Sequence, residues 1–279
     1  MPEFAEVNKQ VRWLRERAVG AHITKYGYSG GHFAEQKDLP DKDSVLASFF
    51  EGATVENVTQ RGKHVVIVLS TGVLTSHLMF KGRWSIAGDD FTSHYKHHKE
   101  PPTAKSVNFW MEAQDGRRIN FHEPEYKGKV HAFPGASTAD VEDLKDLGPE
   151  ILITPETDPN YLREWTADVF RGAVARSKTA IKAFLLDQKK QAGIGNMYAC
   201  ESLYRARIAP DRPSNSLTPD EATRVHDELQ GVIKESIDSD LDYDKVLRVY
   251  RRERDPDGNP VEMSEVGGRD TFWVPAVQK

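Results

Sequence analysis

The first residues of the chain join a proline to two carboxylates. Pro2 follows the initiator methionine, and Glu3 and Glu6 come soon after it. Once Met1 is removed, which a small second residue permits, Pro2 presents a secondary amine, and an α-amino pKa of about 8 leaves part of it unprotonated near neutral pH. Such an amine attacks an aldehyde-like carbon to give an iminium, with Glu3 as general acid or base and Glu6 holding the geometry. Ordinary helix-start residues are the simpler interpretation of this segment.

A glycine-rich turn is the second candidate. Gly193 and Gly195 precede Asn196, between two stretches with a helical pattern. Glycines let backbone N–H groups approach a phosphate closely, the start of the next helix adds partial positive charge, and the Asn196 amide could donate to the same oxygen. A dinucleotide-binding fingerprint needs a third glycine where Tyr198 stands, so a plain helix-connecting turn is the alternative.

The chain offers little for metal binding. Cys200 is the single cysteine, which excludes an intramolecular disulfide, a cysteine-rich zinc site and an iron–sulfur cluster held by this chain. His94, His97 and His98 stand close together, but no acidic residue or cysteine has ligand spacing around them, which is typical of a solvated loop. We therefore predict no metal and no cofactor.

Charge is distributed unevenly along the chain. The net charge is −5, which by itself argues against a nucleic-acid partner. Residues 171–210, however, hold eight basic side chains against two acidic ones, a net charge of +6. This stretch predicts a surface that faces a polyanion or, as the alternative, a solvated helix face.

The composition is that of a globular protein, with 38% hydrophobic and 29% charged residues. No apolar run reaches the roughly 18 residues that a membrane-spanning helix needs, and the N-terminus has no signal-peptide pattern. The sequence therefore predicts an intracellular protein of the cytoplasm or nucleus, without a membrane partner.

Two kinds of element must position the residues that could do chemistry. Residues 6–19 have the period of an amphipathic helix. Short β-rich runs follow, and their close spacing predicts an antiparallel sandwich or barrel up to residue 133, with residues 134–159 as a connection. Helical patterns then return at 161–170, 179–187 and 219–237, and β-rich runs at 246–252 and 268–278 predict a terminal hairpin.

The order of these signals resembles the Fpg/Nei DNA glycosylases, formamidopyrimidine-DNA glycosylase and endonuclease VIII, over nearly the whole sequence. The family's N-terminal pattern appears as MPEFAEV at 1–7, and its lysine motif as Arg61-Gly62-Lys63. Two further motifs appear as HLMFKG at 77–82 and LGPE at 147–150. The most specific match is the helix–two-turns–helix signature at 181–212.

The resemblance implies an α+β fold with two domains. Its parts are an N-terminal antiparallel β-sandwich with flanking helices at 1–133, a linker at 134–159, a helical helix–two-turns–helix domain at 160–245, and a terminal zincless β-hairpin finger at 246–279.

The resemblance also implies roles for individual residues. Pro2 would attack the anomeric carbon of a damaged nucleotide, expel the base and hold the sugar as an iminium while the strand is cut by β- and then δ-elimination. Glu3 would handle protons at the sugar, and the base would first be flipped from the stack. Phosphates beside the lesion would be bound by Lys63, Asn196 and Arg269. The resemblance also implies catalytic roles for Glu6, Lys63 and Arg269. The remaining implied DNA-binding residues are His77, Gly193 and Gly195.

The finger departs from the family pattern. Four cysteines usually bind zinc there, but the aligned positions are Val261, Ser264, Val274 and Val277. None can ligate zinc as a thiolate does, so we expect apolar packing to hold the hairpin and aim Arg269.

Two further departures concern the lesion and the base opposite it. Glu125 replaces an arginine that faces this base, Lys127 replaces a phenylalanine wedge, and Phe80 replaces a methionine that fills the void left by the flipped base. An acidic residue there is expected to repel DNA, which predicts weak discrimination of the opposite base or tolerance of single-stranded DNA. The short connection between Ile237 and Val246 favours oxidised pyrimidines and ring-opened purines over 8-oxoguanine.

The sequence therefore predicts a bifunctional DNA glycosylase and abasic-site (AP) lyase of base excision repair. Its partner would be damaged duplex DNA, or single-stranded DNA, bound by a monomer. The alternative is a noncatalytic protein that binds damaged or unusual DNA on the same scaffold, which Glu125, Lys127 and the missing finger cysteines favour.

Overall fold

The structure, a computed structural model, describes residues 2–29, 42–87, 106–125, 127–163 and 165–279. The described residues form two compact units. The first unit holds Pro2, Glu6–Asp146 and Thr154–Tyr161, and the second holds Glu3–Ala5, Leu147–Ile153 and Leu162–Lys279. The predicted connection, residues 134–159, is thus shared between the two units. The predicted domain boundaries stay a prediction.

Helix α1, Phe4–Ala18, has the predicted amphipathic period. Val7, Val11 and Leu14 recur at helical spacing and are each completely buried in the core of the first unit. Because these side chains lie on one face, burying that face fixes the helix on the sheets of this unit. The described chain adds two short helices here, α2 (Lys42–Phe50) and α3 (Glu142–Lys145).

Two four-stranded antiparallel sheets lie in the described part of the first unit. Their orders are β1-β6-β7-β5 and β2-β3-β4-β8. The strands are β1 Ile23–Tyr28, β2 Val55–Arg61, β3 His64–Leu69, β4 Gly72–His77, β5 Arg83–Ile86, β6 Val107–Ala113, β7 Arg118–His122 and β8 Lys129–Pro134. Val58 and Ile67 of one sheet share a single apolar cluster with Trp84 and Phe109 of the other. The predicted sandwich is therefore confirmed.

The second unit is mainly helical. Its helices are α4 Ala167–Val174, α5 Ile181–Leu186, α6 Asn196–Ala206, α7 Pro219–Asp238 and α8 Tyr243–Val246. Helix α7 begins with a capping box, in which the Thr218 hydroxyl accepts from the Glu221 amide and the Glu221 carboxylate accepts from the Thr218 amide. The predicted helical stretch at 161–170 is wrong in its start: α4 begins at Ala167, because the Thr166 hydroxyl accepts from the Val169 amide and caps it there.

A two-stranded hairpin closes the second unit. Strand β9, Glu262–Val266, pairs antiparallel with β10, Arg269–Trp273, through the turn Gly267-Gly268. The β-rich run predicted at 246–252 is not a strand. The backbone amides of 248–250 instead donate to the buried carboxylate of Glu201 in α6, so they cannot enter a sheet ladder.

Apolar packing is found at three of the four positions that we expect to align with the family's finger cysteines. Val274 is completely buried against Tyr204 and Val249, and Val261 and Val277 pack on the same cluster. Three of the four positions thus belong to one apolar cluster, whereas Ser264 is exposed. Among the described residues, no group of three or more His, Cys, Asp or Glu side chains could hold a metal ion.

No helix in the described part of the chain is long and apolar enough to cross a bilayer. The histidine cluster His94, His97 and His98 lies outside the described residues.

Candidate functional site

The carboxylate of Glu3 lies at the start of helix α6. Glu3 is only 4% exposed, and three backbone amides donate to it. Met197 N donates to Oε1 at 2.8 Å, and Gly195 N and Tyr198 N donate to Oε2 at 3.1 Å each. The positive end of the helix dipole favours a negative charge at this place. The chain therefore holds one carboxylate in a fixed orientation immediately after Pro2.

Two glycines make room for this arrangement. A Cβ on Gly195 would lie 2.3 Å from the Glu3 carboxyl carbon, and one on Gly193 would lie 2.7 Å from the Phe4 ring. Gly193 also has φ +101°, a conformation that other residues rarely adopt. The predicted approach of these two amides to a phosphate is not what the structure shows: Gly195 N donates to Glu3 and Gly193 N to Gln188 Oε1 at 3.1 Å.

Asn196 and Arg269 come together near the same helix end. The Asn196 side-chain amide donates to the carbonyl of Asp270 at 2.8 Å, which connects the first residue of α6 to the second residue of β10. Arg269 begins β10 directly after the turn Gly267-Gly268. The second unit thus brings together Glu3, Asn196 and Arg269 from three separate parts of the chain.

Tyr250 belongs to this group, although it was not among the predicted site residues. Burial and the nearby charge of Glu3 raise the pKa of its phenol, and a hydrogen bond with Asn196 opposes the shift. Its ring packs edge-on against Phe272 of β10 at 5.2 Å. The sequence feature that could have pointed to it is its position within a basic run, residues 245–254, which holds five cationic side chains against Glu253.

Two cations of the basic stretch 171–210 are internal. Lys182 is completely buried, and the Arg205 side chain is 3% exposed and paired with Glu235 at 2.8 Å. Exposed members of the stretch include Lys178, Lys189 and Lys190. The expectation that the whole stretch faces a polyanion is therefore wrong for Lys182 and Arg205.

In the first unit, Lys63 lies in the two-residue turn between β2 and β3. Arg61 pairs with His64 across this hairpin, so Gly62 and Lys63 alone form the loop. Gly62 has φ +56°, as the first position of such a turn requires. Lys63 is 6% exposed. Pro2 and Glu6 also belong to this unit, and both are buried, Glu6 in the first turn of α1.

His77 ends strand β4 and shapes the loop that follows. Its Nδ1 accepts from the Met79 amide at 3.2 Å, and Met79 has φ +50°. Gly82 N closes the loop by donating to the Leu78 carbonyl at 2.7 Å. Phe80 at the loop tip is 44% exposed, which is unusual for a phenylalanine and suits a side chain that fills a void elsewhere.

Burial gives the first unit a pH-dependent stability through His64 and His77. It lowers the pKa of His64 to about 4, and together with the charges of His64 and Lys63 it lowers that of His77 to about 3. An unfolded histidine titrates near pH 6.5, so the unfolded chain binds more protons below that pH and the free energy of unfolding falls as the pH falls from 6.5 towards 4. We expect a loss of about 1 to 2 kcal/mol per histidine between pH 7 and pH 5.

Urea unfolding at both pH values measures this loss. His77→Gln should reduce it, whereas His22→Gln, at an exposed position, should not. An NMR titration in which the His77 ring protonates near pH 6.5 in the folded protein would contradict the prediction.

Glu125 is held between two lysines. Lys81 Nζ lies 2.6 Å from Oε1 and Lys127 Nζ 2.9 Å from Oε2. These two contacts lower the pKa of Glu125 to about 2. The backbone of this loop is held by Glu123, which is completely buried. Its carboxylate accepts hydrogen bonds from the amides of Lys127 and Gly128. The acidic side chain expected to repel DNA is therefore paired with two lysines, which offset its negative charge.

Replacing Gly195 with alanine should displace the Glu3 carboxylate. The new Cβ would overlap the carboxyl group, and three buried hydrogen bonds to a charged acceptor would be lost or bent. We expect a destabilisation of about 2 to 4 kcal/mol, measured by urea unfolding. The matched control is Gly231→Ala in α7, where a Cβ meets nothing within 4 Å and helix propensity predicts a small gain in stability. Equal stability of the Gly195 variant and the parent protein would contradict the assignment.

Comparisons with known proteins place the whole chain in one family. The formamidopyrimidine-DNA glycosylase N-terminal domain matches residues 1–130, its H2TH domain 155–245 and its C-terminal domain 239–279. The formamidopyrimidine-DNA glycosylase of Rhodopseudomonas palustris is 31% identical, and that of Bacillus licheniformis 27%, each alignment covering all of both chains.

Solved structures agree in fold. The Lactococcus lactis formamidopyrimidine-DNA glycosylase, bound non-covalently to DNA containing an AP site, superposes with a TM-score of 0.81 at 23% identity over 99% of each chain. The same enzyme in complex with DNA containing FAPY-dG gives 0.80, over 99% of this chain and 100% of that one. From the domain matches and the full-length relatives, the chain belongs to the formamidopyrimidine-DNA glycosylase family.

Proposed function

We propose that the protein is a bifunctional DNA glycosylase and AP lyase of base excision repair. The observation that carries this proposal is the Glu3 carboxylate, fixed by three amides of the α6 start directly after Pro2. A secondary amine beside an oriented carboxylate is equipped to form an iminium at a sugar carbon. Membership of a family of DNA glycosylases supports the same reaction.

The covalent step begins when the lone pair of the Pro2 amine attacks C1′ of the damaged nucleotide. The bond to the base breaks with its electron pair, and the base leaves protonated. The Pro2 nitrogen gives up its proton, the C1′–O4′ bond breaks as O4′ takes up a proton, and the nitrogen lone pair forms the positively charged iminium with C1′. Loss of a proton from C2′ then expels the 3′-phosphate by β-elimination, and loss of the C4′ proton expels the 5′-phosphate by δ-elimination. Water hydrolyses the remaining iminium and frees Pro2.

Glu3 serves this sequence in two ways. Its negative charge stabilises the positive charge that develops at the sugar as the base leaves, because the carboxylate is already oriented and largely shielded from water. It also handles protons at the sugar during ring opening and elimination. Glu6, one helical turn later, supports the geometry of the N-terminal segment.

The partner is DNA, bound mainly through its phosphates. In the second unit, the Asn196 amide, the Arg269 guanidinium and the Tyr250 phenol supply donors to phosphate oxygens. In the first unit, Lys63 supplies positive charge, and His77, whose Nδ1 accepts from Met79, carries its proton on Nε2 as a donor. Gly193 and Gly195 contribute by admitting Phe4 and Glu3.

The substrates we infer are oxidised pyrimidines and ring-opened purines. The segment between α7 and α8 holds only residues 239–242, too few to form a loop that folds over an 8-oxoguanine. The Lactococcus lactis relative has been solved in complex with DNA that contains FAPY-dG, a ring-opened purine. Phe80 fills the space that the flipped nucleotide leaves.

Glu125→Arg should create a dependence on the base opposite the lesion. The substitution replaces a carboxylate shared by Lys81 and Lys127 with a guanidinium that can donate to two acceptors on one base. We expect roughly tenfold discrimination among the four opposite bases, measured as single-turnover excision rates. Glu56→Arg, an exposed charge-matched change on β2, should leave the rates equal. No difference between the two variants would contradict a base-reading role for this loop.

Borohydride trapping on an oligonucleotide with a single abasic site tests the proposed function. The expected result is a covalent protein–DNA adduct and cleavage of the strand on both sides of the sugar. Binding without trapping or cleavage, in protein shown by intact mass to have lost Met1, would instead support a noncatalytic DNA-binding protein on this scaffold.

A further inference from the structure

Lys182 in α5 is a completely buried ammonium that binds the backbone of the hairpin. Its Nζ donates to the carbonyl of Asp270 at 3.0 Å, to Thr271 Oγ1 at 2.6 Å and, at 3.4 Å, to the carbonyl of Arg269. These acceptors are consecutive residues at the start of β10. The turn of the hairpin also rests on α5, where a Cβ on Gly267 would lie 3.0 Å from that of Ala183.

Glu201 in α6 makes the complementary contact with the other half of this region. It is completely buried, and its carboxylate accepts from the amides of Arg248 and Val249 at 2.9 Å and of Tyr250 at 2.7 Å. The positive side chain thus binds carbonyls, and the negative one binds amides. Lys182 binds the backbone at Arg269, and Glu201 binds the backbone at Tyr250. We assign both of these residues to DNA binding.

Burying these two charges is costly. Burial lowers the pKa of Lys182, an effect that the Cys200 and Asp270 side chains oppose and Arg269 reinforces, while Glu3 also opposes it. Burial raises the pKa of Glu201 against the three amides and Arg205. Well-packed apolar residues would hold the same elements together without this cost. The charges therefore do something that packing alone does not, namely fix particular backbone groups in place.

We propose that Lys182 and Glu201 are positioning residues that anchor the two segments of the metal-free finger, Lys182 acting through Arg269 and Glu201 through Tyr250. The apolar cluster around Val274 holds the hairpin closed. The two buried charges fix the backbone from which the side chains of Arg269 and Tyr250 extend. This inference rests on the proposed function, because it assigns the two anchored residues to phosphate binding.

The test is a double-mutant cycle on DNA binding, with a duplex carrying a tetrahydrofuran abasic-site analogue as the probe. Lys182→Met should weaken binding about tenfold and reduce the slope of log K against log salt concentration by about 0.9, the value of one phosphate contact. Arg269→Ala should do the same. Their combination should be no weaker than Arg269→Ala alone, since the lysine acts through the arginine.

Glu201→Gln should leave a different signature. It should weaken binding without changing the salt slope, because a phenol carries no charge, and the loss should not add to that of Tyr250→Phe. Additive losses in either cycle, or an unchanged salt slope for Lys182→Met, would overturn the proposal. Lys234→Met, at an exposed position on α7, is the matched control.

A milder variant covers the case in which Lys182→Met does not fold. Thr271→Val removes one acceptor of the ammonium and keeps the charge, and it should shift affinity and salt slope in the same direction by a smaller amount. Borohydride trapping by the parent protein keeps the two claims apart. If the protein is trapped but the losses in the double-mutant cycles are additive, only the positioning role of Lys182 and Glu201 is refuted. If the losses are non-additive but the protein is not trapped, only the AP lyase activity is refuted.

Discussion

Replacing Pro2 with glycine is expected to lower the yield of borohydride-trapped adduct at an abasic site by at least about a hundredfold. A secondary amine gives an iminium that is positively charged as soon as it forms, whereas the primary amine of glycine gives a neutral imine that must first be protonated. Glycine also removes the ring that fixes the direction of the amine just before α1. Single-turnover trapping measures the effect, and peptide mapping of the parent adduct should find the sugar on Pro2.

Two controls make this result decisive. Pro159→Gly, an exposed proline of the first unit, should trap like the parent protein. Intact mass must show that Met1 has been removed from every protein compared, because an amide in place of the amine would abolish trapping for a trivial reason. If the Pro2 variant were trapped as well as the parent protein and the sugar mapped to a lysine, that lysine and not Pro2 would be the nucleophile.

Glu3→Gln is expected to lower the rate of base excision by about 100- to 10,000-fold. The neutral amide can neither stabilise positive charge at the sugar nor exchange a proton, and its NH₂ group would face one side of the amide cluster formed by Gly195, Met197 and Tyr198. The measurement is single-turnover release of an oxidised pyrimidine. Cleavage of a preformed abasic site should fall less, because the base has already gone.

A structural explanation of the same loss must be separated from the chemical one. Thermal unfolding reports how much stability the Gln variant loses, and affinity for the tetrahydrofuran duplex reports whether its binding surface is intact. Glu16→Gln, at an exposed position of helix α1, should excise at the parent rate. A Glu3 variant that binds normally and still excises within about tenfold of the parent would remove the carboxylate from the mechanism.

Local periodicity predicted much of this fold. The helix at the N-terminus and the strands of the sandwich were indicated by patterns within a few residues, and both are present. The run at 246–252 has β-forming residues, but its amides are used by Glu201, some fifty residues earlier in the chain. Propensity could not predict that competition, because it ignores which distant side chain supplies the acceptor.

The candidate site shows the same limit. The residue types of Pro2, Glu3 and Asn196 suggested their chemistry, but spacing gave no sign that Glu3 would occupy the amides predicted to meet a phosphate. Lys182 was counted as part of a surface facing a polyanion and is instead buried against hairpin carbonyls. Charge counts describe composition, whereas burial depends on tertiary packing.

The apolar cluster of the finger also bears on oxidative damage. A zinc finger built on thiolates is attacked by the oxidants that generate damaged bases, because thiolate sulfur is readily oxidised. Here Val261, Val274 and Val277, which the sequence resemblance aligns with three of those cysteines, form an apolar cluster. The only thiol, Cys200, is buried, and burial raises its pKa to about 11, so it stays in the less reactive protonated form. We therefore expect the hairpin of such a repair protein to stay folded under the oxidising conditions that damage DNA bases.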